Sequence, residues 1–151
     1  MGNAHADFDA GLNAYKEEDF AKALAEWKPL AEQGDVQAQF YLGLIYGFGQ
    51  GVEKDLVEAV RWWQLAAERG NIAAQSNLGF MYKYGNGVPQ DIVLAYMWSK
   101  IAALGGATFA QQNLKVMSKE MTAADIEKAE QLAREWRESH PATSQPLGAA
   151  P

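Results

Sequence analysis

Hydrophobic residues recur three or four positions apart through most of the 151-residue chain, which is the spacing of one face of an α-helix. Polar or glycine-rich stretches interrupt this pattern at regular distances. An aspartate or a threonine precedes several of the periodic segments, and such side chains favour the N-cap of a helix. The pattern predicts eight helices, over Asp7–Lys16, Phe20–Gln33, Val36–Tyr46, Leu56–Arg69, Ile72–Tyr84, Ile92–Leu104, Ala107–Met117 and Ala123–Glu138.

The same small and bulky residues return every 36 positions along the chain. A fixed period of about 20 to 50 residues is the signature of a solenoid, in which each repeat buries its apolar face against the next. We therefore predict about three full repeats with caps. The recurring sets are Ala23, Ala59 and Ala95; Gly34, Gly70 and Gly106; Ala38, Ala74 and Ala110; Gln39, Gln75 and Gln111; and Leu42, Leu78 and Leu114.

The glycine-rich turn that follows the third and fifth predicted helices does not recur after the seventh. Glu120–Asp125 stands where that turn would be, and a departing terminal repeat is typical of a capping element. From Ser139 onward the chain has three prolines and few bulky apolar residues. We expect a disordered segment over 1–6, a solenoid over 7–138 and a disordered tail over 139–151.

One motif occurs twice in succession, Ala-Gln-x-x-Leu-Gly-x-x-Tyr-x-x-Gly-x-Gly-Val-x-x-Asp, beginning at Ala38 and at Ala74. Each copy is followed by Ala-x-x-Trp-x-x-x-Ala-Ala-x-x-Gly, beginning at Ala59 and at Ala95. These motifs resemble the Sel-one-like repeat (SLR) family, a branch of the tetratricopeptide-like (TPR-like) solenoids. The resemblance is tight over Phe20–Gly106. It implies an all-α fold, a right-handed α/α superhelix of about four helical hairpins with terminal capping helices.

Some positions depart from the repeat. Ser99 and Glu26 stand where other copies place a tryptophan. Lys115 replaces the small residue found at Gly43 and Gly79, so the seventh helix is expected to pack less closely on its neighbour.

Trp62 and Trp63 are adjacent in the sequence. Neighbouring residues cannot face the same side of a helix. We expect one of the two rings in the core between repeats and the other half exposed.

Charge and composition argue against several classes of function. The net charge of −6 and the pI near 4.9 lack the basic stripe that nucleic-acid binding needs. No apolar run approaches the roughly 18 residues of a membrane-spanning helix, so we expect no membrane insertion. The chain has no cysteine, which excludes disulfides and thiolate metal sites.

No catalytic pattern is found either. Histidine occurs only at His5 and His140, both in segments predicted to be unstructured, and the H-E-x-x-H, G-x-S-x-G and Walker motifs are absent. We expect no catalytic residues, no cofactor and no metal, and therefore not an enzyme.

The cellular location stays open. Ala4-His5-Ala6 has the small-x-small form of a signal-peptidase site, which fits a mature exported protein. An ordinary cytoplasmic N-terminus is the other interpretation. The family resemblance suggests a bacterial protein and favours a periplasmic or secreted location slightly.

The resemblance implies that the first helix of each hairpin lines a concave groove. Apolar residues there would suit an extended peptide or an amphipathic helix, unless packing between hairpins buries them. We predict a monomeric protein-interaction module, an adaptor, scaffold or regulatory binder whose partner is another protein or peptide. The predicted groove residues are Gln37, Phe40, Leu44, Phe48, Ser76, Phe80, Lys83 and Tyr84.

Two alternatives belong to other classes. One is a cell-envelope protein that binds or processes glycans such as peptidoglycan, with Trp62, Tyr84 and Phe48 stacking on sugar rings. Glycan cleavage would also need two carboxylates about 5–10 Å apart across a cleft. The other alternative is a self-associating architectural solenoid.

Overall fold

The computed structural model describes residues 6–143. Every helix that the periodicity predicts is present in that range, and a short 3₁₀-helix follows the last one. The all-α class is confirmed. The elements are α1 (Phe8–Lys16), α2 (Phe20–Glu32), α3 (Val36–Phe48), α4 (Leu56–Glu68), α5 (Ile72–Tyr84), α6 (Ile92–Leu104), α7 (Thr108–Glu120), α8 (Ala123–Ser139) and the 3₁₀-helix Pro141–Thr143.

Three helices extend beyond their predicted ends, α8 by one residue, α3 by two and α7 by three. The helix α3 continues to Phe48, because Gly49 is the residue that adopts the left-handed conformation, with φ of 67°, that ends it. Gly47 stays helical and buried. The helix α7 has no glycine at its end and continues to Glu120, where the extended backbone of Met121 stops it.

The helices pack as an α/α solenoid. The pairs α1–α2, α3–α4 and α5–α6 form hairpins, and the second helix of each hairpin packs on the first helix of the next. Apolar residues from both helices of each hairpin build a core that runs along the chain in three adjoining clusters. This is the repeat stacking that the 36-residue period predicts.

Inside a hairpin, a tryptophan of the second helix lies over a glycine of the first. Trp63 Nε1 donates to the carbonyl of Phe40 at 3.2 Å, and a Cβ atom at Gly43 would overlap the indole ring. The first hairpin repeats this contact. Trp27 Nε1 donates to the carbonyl of Phe8 at 3.1 Å, over Gly11.

This shared contact makes α1–α2 a structural repeat rather than a cap alone. Phe8 and Phe40 lie 32 positions apart, whereas Trp27 and Trp63 lie 36 apart. The shorter interval reflects the shorter turn between α1 and α2, which is why a slide of 36 residues does not align α1.

Between hairpins, the recurring glutamine links one repeat to the next. Its side-chain amide donates to a backbone carbonyl in the last turn of the preceding hairpin, and so holds the two repeats in register. The three bonds are Gln39 Nε2 to Ala31 O at 3.1 Å, Gln75 Nε2 to Ala67 O at 3.1 Å and Gln111 Nε2 to Ala103 O at 3.4 Å.

The prediction that one of the paired tryptophans would be half exposed is wrong. Trp62 and Trp63 are each only 3% exposed. Trp62 belongs to the cluster around α2 and α3, and Trp63 to the cluster around α5 and α6. The helix α4 lies between two repeats, so opposite sides of it are both buried.

The last two helices do not form a fourth hairpin. The helix α8 packs against α6 instead of pairing with α7, which is held by α6 with a small contact to α5. Lys115 stands where Gly43 and Gly79 admit the second helix of their hairpins. Its side chain is exposed, and a long charged residue there prevents close helix approach. The expected weaker packing of α7 therefore arises because no second helix of a hairpin covers it at Lys115.

The ordered chain also extends beyond the predicted end of the solenoid at 138. Ser139 belongs to α8, and His140, predicted in an unstructured segment, stacks on Trp136 with ring centroids 4.2 Å apart. Trp136 Nε1 donates to Glu68 Oε2 at 3.1 Å, and this contact ties the end of α8 to α4. His5, the remainder of the tail and most of the N-terminal segment, 1–5 and 144–151, lie outside the described residues.

Replacing Gly43 by alanine tests the hairpin contact. The new Cβ would displace the Trp63 indole, so we expect a loss of about 1–3 kcal/mol in the free energy of unfolding, the usual range for overpacking. Urea denaturation followed by circular dichroism measures it. Lys115→Ala, at the exposed equivalent position, should change stability by no more than about 0.5 kcal/mol. Equal losses in the two variants would contradict the proposed role of Gly43.

Tyr96 gives the contact between α6 and α8 a pH dependence. Burial raises the pKa of Tyr96 to about 12, and the hydrogen bond from its hydroxyl to Glu130 Oε1, at 3.0 Å, contributes. Its stabilisation is complete below the unfolded pKa of about 10 and is lost as the pH rises towards 12.

Tyr96→Phe should therefore cost about 1 kcal/mol at neutral pH. The stability difference between wild type and variant should shrink between pH 10 and pH 12. Lys100, which pairs with the same Glu130 oxygen, is present in both proteins, so the comparison isolates the tyrosine. Denaturation curves recorded across this pH range measure the difference. If it stays constant from pH 10 to pH 12, Tyr96 is not the source of the pH dependence.

Candidate functional site

A cleft lies where α3, α5 and α7 meet, and it encloses about 400 Å³. The end of α3 and the middle of α5 form two of its walls, and the first turn of α7 forms a third. The chain around the start of α4 forms the floor. We call this site the cleft. Its lining residues are Leu44, Gly47, Phe48, Lys54, Leu56, Trp63, Asn77, Phe80, Met81, Asn86 and Phe109.

Three phenylalanines from three helices dominate the cleft. Phe48 is 70% exposed, Phe109 55% and Phe80 39%. Most large apolar residues of the solenoid pack inside it, whereas these three are exposed and line the same cavity. An exposed apolar cluster of this kind marks an interaction surface.

The structure brings part of the predicted groove together. Leu44, Phe48 and Phe80 line the cleft. Tyr84 joins them by packing on Phe80 with ring centroids 4.7 Å apart, and Lys83 Nζ lies 5.2 Å from the centre of the Tyr84 ring.

Three predicted groove residues, Gln37, Phe40 and Ser76, do not line the cleft. Phe40 packs against the central core cluster and meets Tyr41 edge-on at 5.5 Å. Residues four apart on a helix drift by about 40° per step, so Phe40 and Phe48 diverge by about 80° although both belong to one i, i+4, i+8 row. Leu44 and Phe48, the later members of that row, line the cleft, and Phe40 does not.

The sequence-based prediction did not include Phe109. Its equivalents one and two repeats earlier are Ala73 and Gln37. Gln37 is a predicted groove residue, so extending the 36-residue period to the seventh helix would have found Phe109. Phe109 reaches the cleft because α7 packs on α6 in the register of a first helix, which places its first turn beside α5. Lys54, Asn77 and Asn86 were also absent from the predicted groove. In the sequence, nothing distinguishes these polar residues from others on the surface of a helix or turn.

The lining of the cleft carries positive charge and no negative charge. None of the eleven lining residues is acidic, and Lys54 is the one charged residue among them. Within residues 6–143, the salt bridges involve other cations, and no carboxylate lies within ion-pair distance of Lys54 or Lys83.

Other kinds of site find no support in the described part of the chain. Residues 6–143 contain no cluster of histidine and carboxylate side chains suited to hold a metal ion. Over the same range, no helix combines the length and apolar character needed to cross a bilayer.

Comparison with known proteins identifies the repeat. The Sel1 repeat model matches residues 36–71 and 72–106. The Sel1 repeat protein from Oxalobacter formigenes is 33% identical, with a TM-score of 0.67, over 72% of this chain and 84% of that protein. The chain belongs to the Sel1 repeat family. No curated protein sequence matches it.

A second Sel1-type structure covers more of the chain. A protective antigen present in uropathogenic Escherichia coli strains, which displays an SLR fold, is 32% identical, with a TM-score of 0.85, over 99% of this chain. The chain spans 34% of that protein's length. The predicted family and solenoid fold are thus confirmed, and the repeat is that of a protein-interaction module.

The two aromatic rings at the edge of the cleft should contribute little to folding. Phe80→Ala combined with Tyr84→Ala removes one partly exposed ring pair, so we expect the free energy of unfolding to fall by about 1 kcal/mol. Leu78→Ala, at a fully buried position two residues before Phe80, should cost about 2–5 kcal/mol. Thermal and urea melts of the variants give both values. A loss in the double variant as large as that of Leu78→Ala would place these rings in the core.

Proposed function

We propose that this Sel1 repeat protein is an adaptor, scaffold or regulatory binder that holds a segment of another protein in the cleft and has no catalysis of its own. The observation that carries the proposal is the convergence of Phe48, Phe80 and Phe109 from three helices around one cavity. Their rings are presented to solvent by a rigid scaffold.

The energetics favour a protein ligand. Each square ångström of apolar surface taken out of water contributes about 25 cal/mol, so covering these rings gives a partner a substantial driving force. Aromatic residues at the centre of a contact also carry much of the binding energy in protein complexes. A cavity of about 400 Å³ admits a few side chains of a peptide or helix rather than a folded surface.

The glycan alternative gains no support from the cleft. Trp62, one of the three rings expected to stack on sugars, is 3% exposed and packs inside the solenoid. The cleft lining contains no carboxylate, so it offers no pair for glycoside hydrolysis.

A matched pair of double variants tests the site. Phe48→Ala with Phe109→Ala removes the two most exposed rings of the cleft. Val57→Ala with Leu104→Ala removes apolar residues of comparable exposure, 67% and 46%, that do not line it. Each tagged protein is incubated with extract of the native organism, and co-purifying proteins are quantified by mass spectrometry.

We expect a specific partner to co-purify with wild type and with the Val57/Leu104 variant, and to fall at least about tenfold with the Phe48/Phe109 variant, which corresponds to about 1.4 kcal/mol. Retention by the Phe48/Phe109 variant would show that the partner binds elsewhere. Loss only in the Val57/Leu104 variant would move the site to the α4 and α6 surface.

A further inference from the structure

The cleft is cationic at its edges although the protein is acidic. The chain carries a net charge of −6, yet Lys54 lines the cleft and Lys83 lies beside it on the Phe80–Tyr84 pair. Within the described residues, Asp55, which follows Lys54, forms no ion pair with it. Its carboxylate caps α4 by accepting from the backbone of Glu58 at 3.0 Å.

The cleft also contains two carboxamides with unused hydrogen-bonding capacity. Asn77 projects from α5, and Asn86 from the turn that follows α5. In the described part of the structure neither side chain makes a hydrogen bond, whereas most other side-chain amides of the solenoid, such as Gln39 and Gln75, do. An amide supplies both a donor and an acceptor, which is what the backbone of an extended peptide requires.

We propose that the cleft binds an extended peptide segment in which a bulky apolar side chain is flanked by acidic residues. The apolar side chain lies among Phe48, Phe80 and Phe109, the peptide backbone bonds to Asn77 and Asn86, and the acidic flanks face Lys54 and Lys83. This inference rests on the proposed function and adds the chemistry of the partner.

Charge complementarity distinguishes this occupant from others. The acidic surface elsewhere on the protein repels an acidic segment, so the two lysines orient such a segment towards the cleft. A basic segment would place its positive charges against Lys54 and Lys83, and this repulsion opposes its binding. A second copy of this chain would bring a net charge of −6 against another −6, which opposes self-association at this site.

Selection from a phage-displayed library of random peptides tests the chemistry directly. The immobilised full chain is the target, and the selected peptides are synthesised and measured by fluorescence anisotropy. We expect enrichment of sequences with a Phe, Leu, Ile or Met residue flanked on both sides by Asp or Glu. Their affinity should fall as salt is raised, because the lysines are at the exposed edge of the cleft.

Two charge-reversal variants give the control. Lys54→Glu with Lys83→Glu should weaken the selected peptides by about tenfold or more, and a repeated selection should favour Lys and Arg flanks. Lys22→Glu with Lys128→Glu makes the same change in net charge at exposed positions on α2 and α8, away from the cleft. Its affinities should stay within about twofold of wild type.

The possible failures are separable. One outcome would overturn this inference and keep the proposed function. In it the selected peptides have neutral or basic flanks, lose affinity for the variant with Phe48→Ala and Phe109→Ala, and keep their affinity for the variant with Lys54→Glu and Lys83→Glu. Selection of no peptide by wild type would overturn both. Light scattering completes the test, since a dimer abolished by Phe48→Ala with Phe109→Ala would make a second copy the occupant and overturn the acidic-peptide assignment.

Discussion

The packing of a tryptophan indole over a glycine sets the geometry on which the rest of this solenoid depends. In α3–α4 the ring of Trp63 fills the space that a side chain at Gly43 would occupy and donates to a carbonyl of the facing helix. One contact thus fixes both the distance and the register of the two helices. Where Ser99 replaces the tryptophan, its hydroxyl and the backbone of α6 lie over Gly79. A Cβ there would overlap the Ser99 Oγ and lie 3.2 Å from the carbonyl of Ala95.

The same constraint explains why the solenoid ends as it does. Lys115 stands where the glycine is required, so α7 receives no second helix and α8 packs along α6. The first turn of α7 leaves Phe109 exposed at the end of the regular hairpins, where it lines the same cleft as Phe48 of α3 and Phe80 of α5. The candidate site is a consequence of where the repeat stops.

Much of the fold could be predicted because a repeat displays its packing rules several times in the sequence. The Gln39, Gln75 and Gln111 series was visible as a recurrence, and the structure adds the reason, a hydrogen bond to the preceding hairpin. Predictions failed where one residue meets elements distant in sequence. Trp62 is buried because α4 is covered on two sides, and α8 is placed by packing on α6, which no local pattern encodes.

The sequence by itself determined the helices, the repeat, the family and the apolar row from which Leu44, Phe48 and Phe80 come. Local spacing and composition carry that information, since helix formation and hairpin packing depend on residues three, four or 36 positions apart. Only the tertiary structure decided which members of the row face solvent. It also brought Phe109, Lys54 and Asn77 to the same cleft. The packing of the helices against one another fixes which side chains converge, and a repeat period in the sequence does not contain that information.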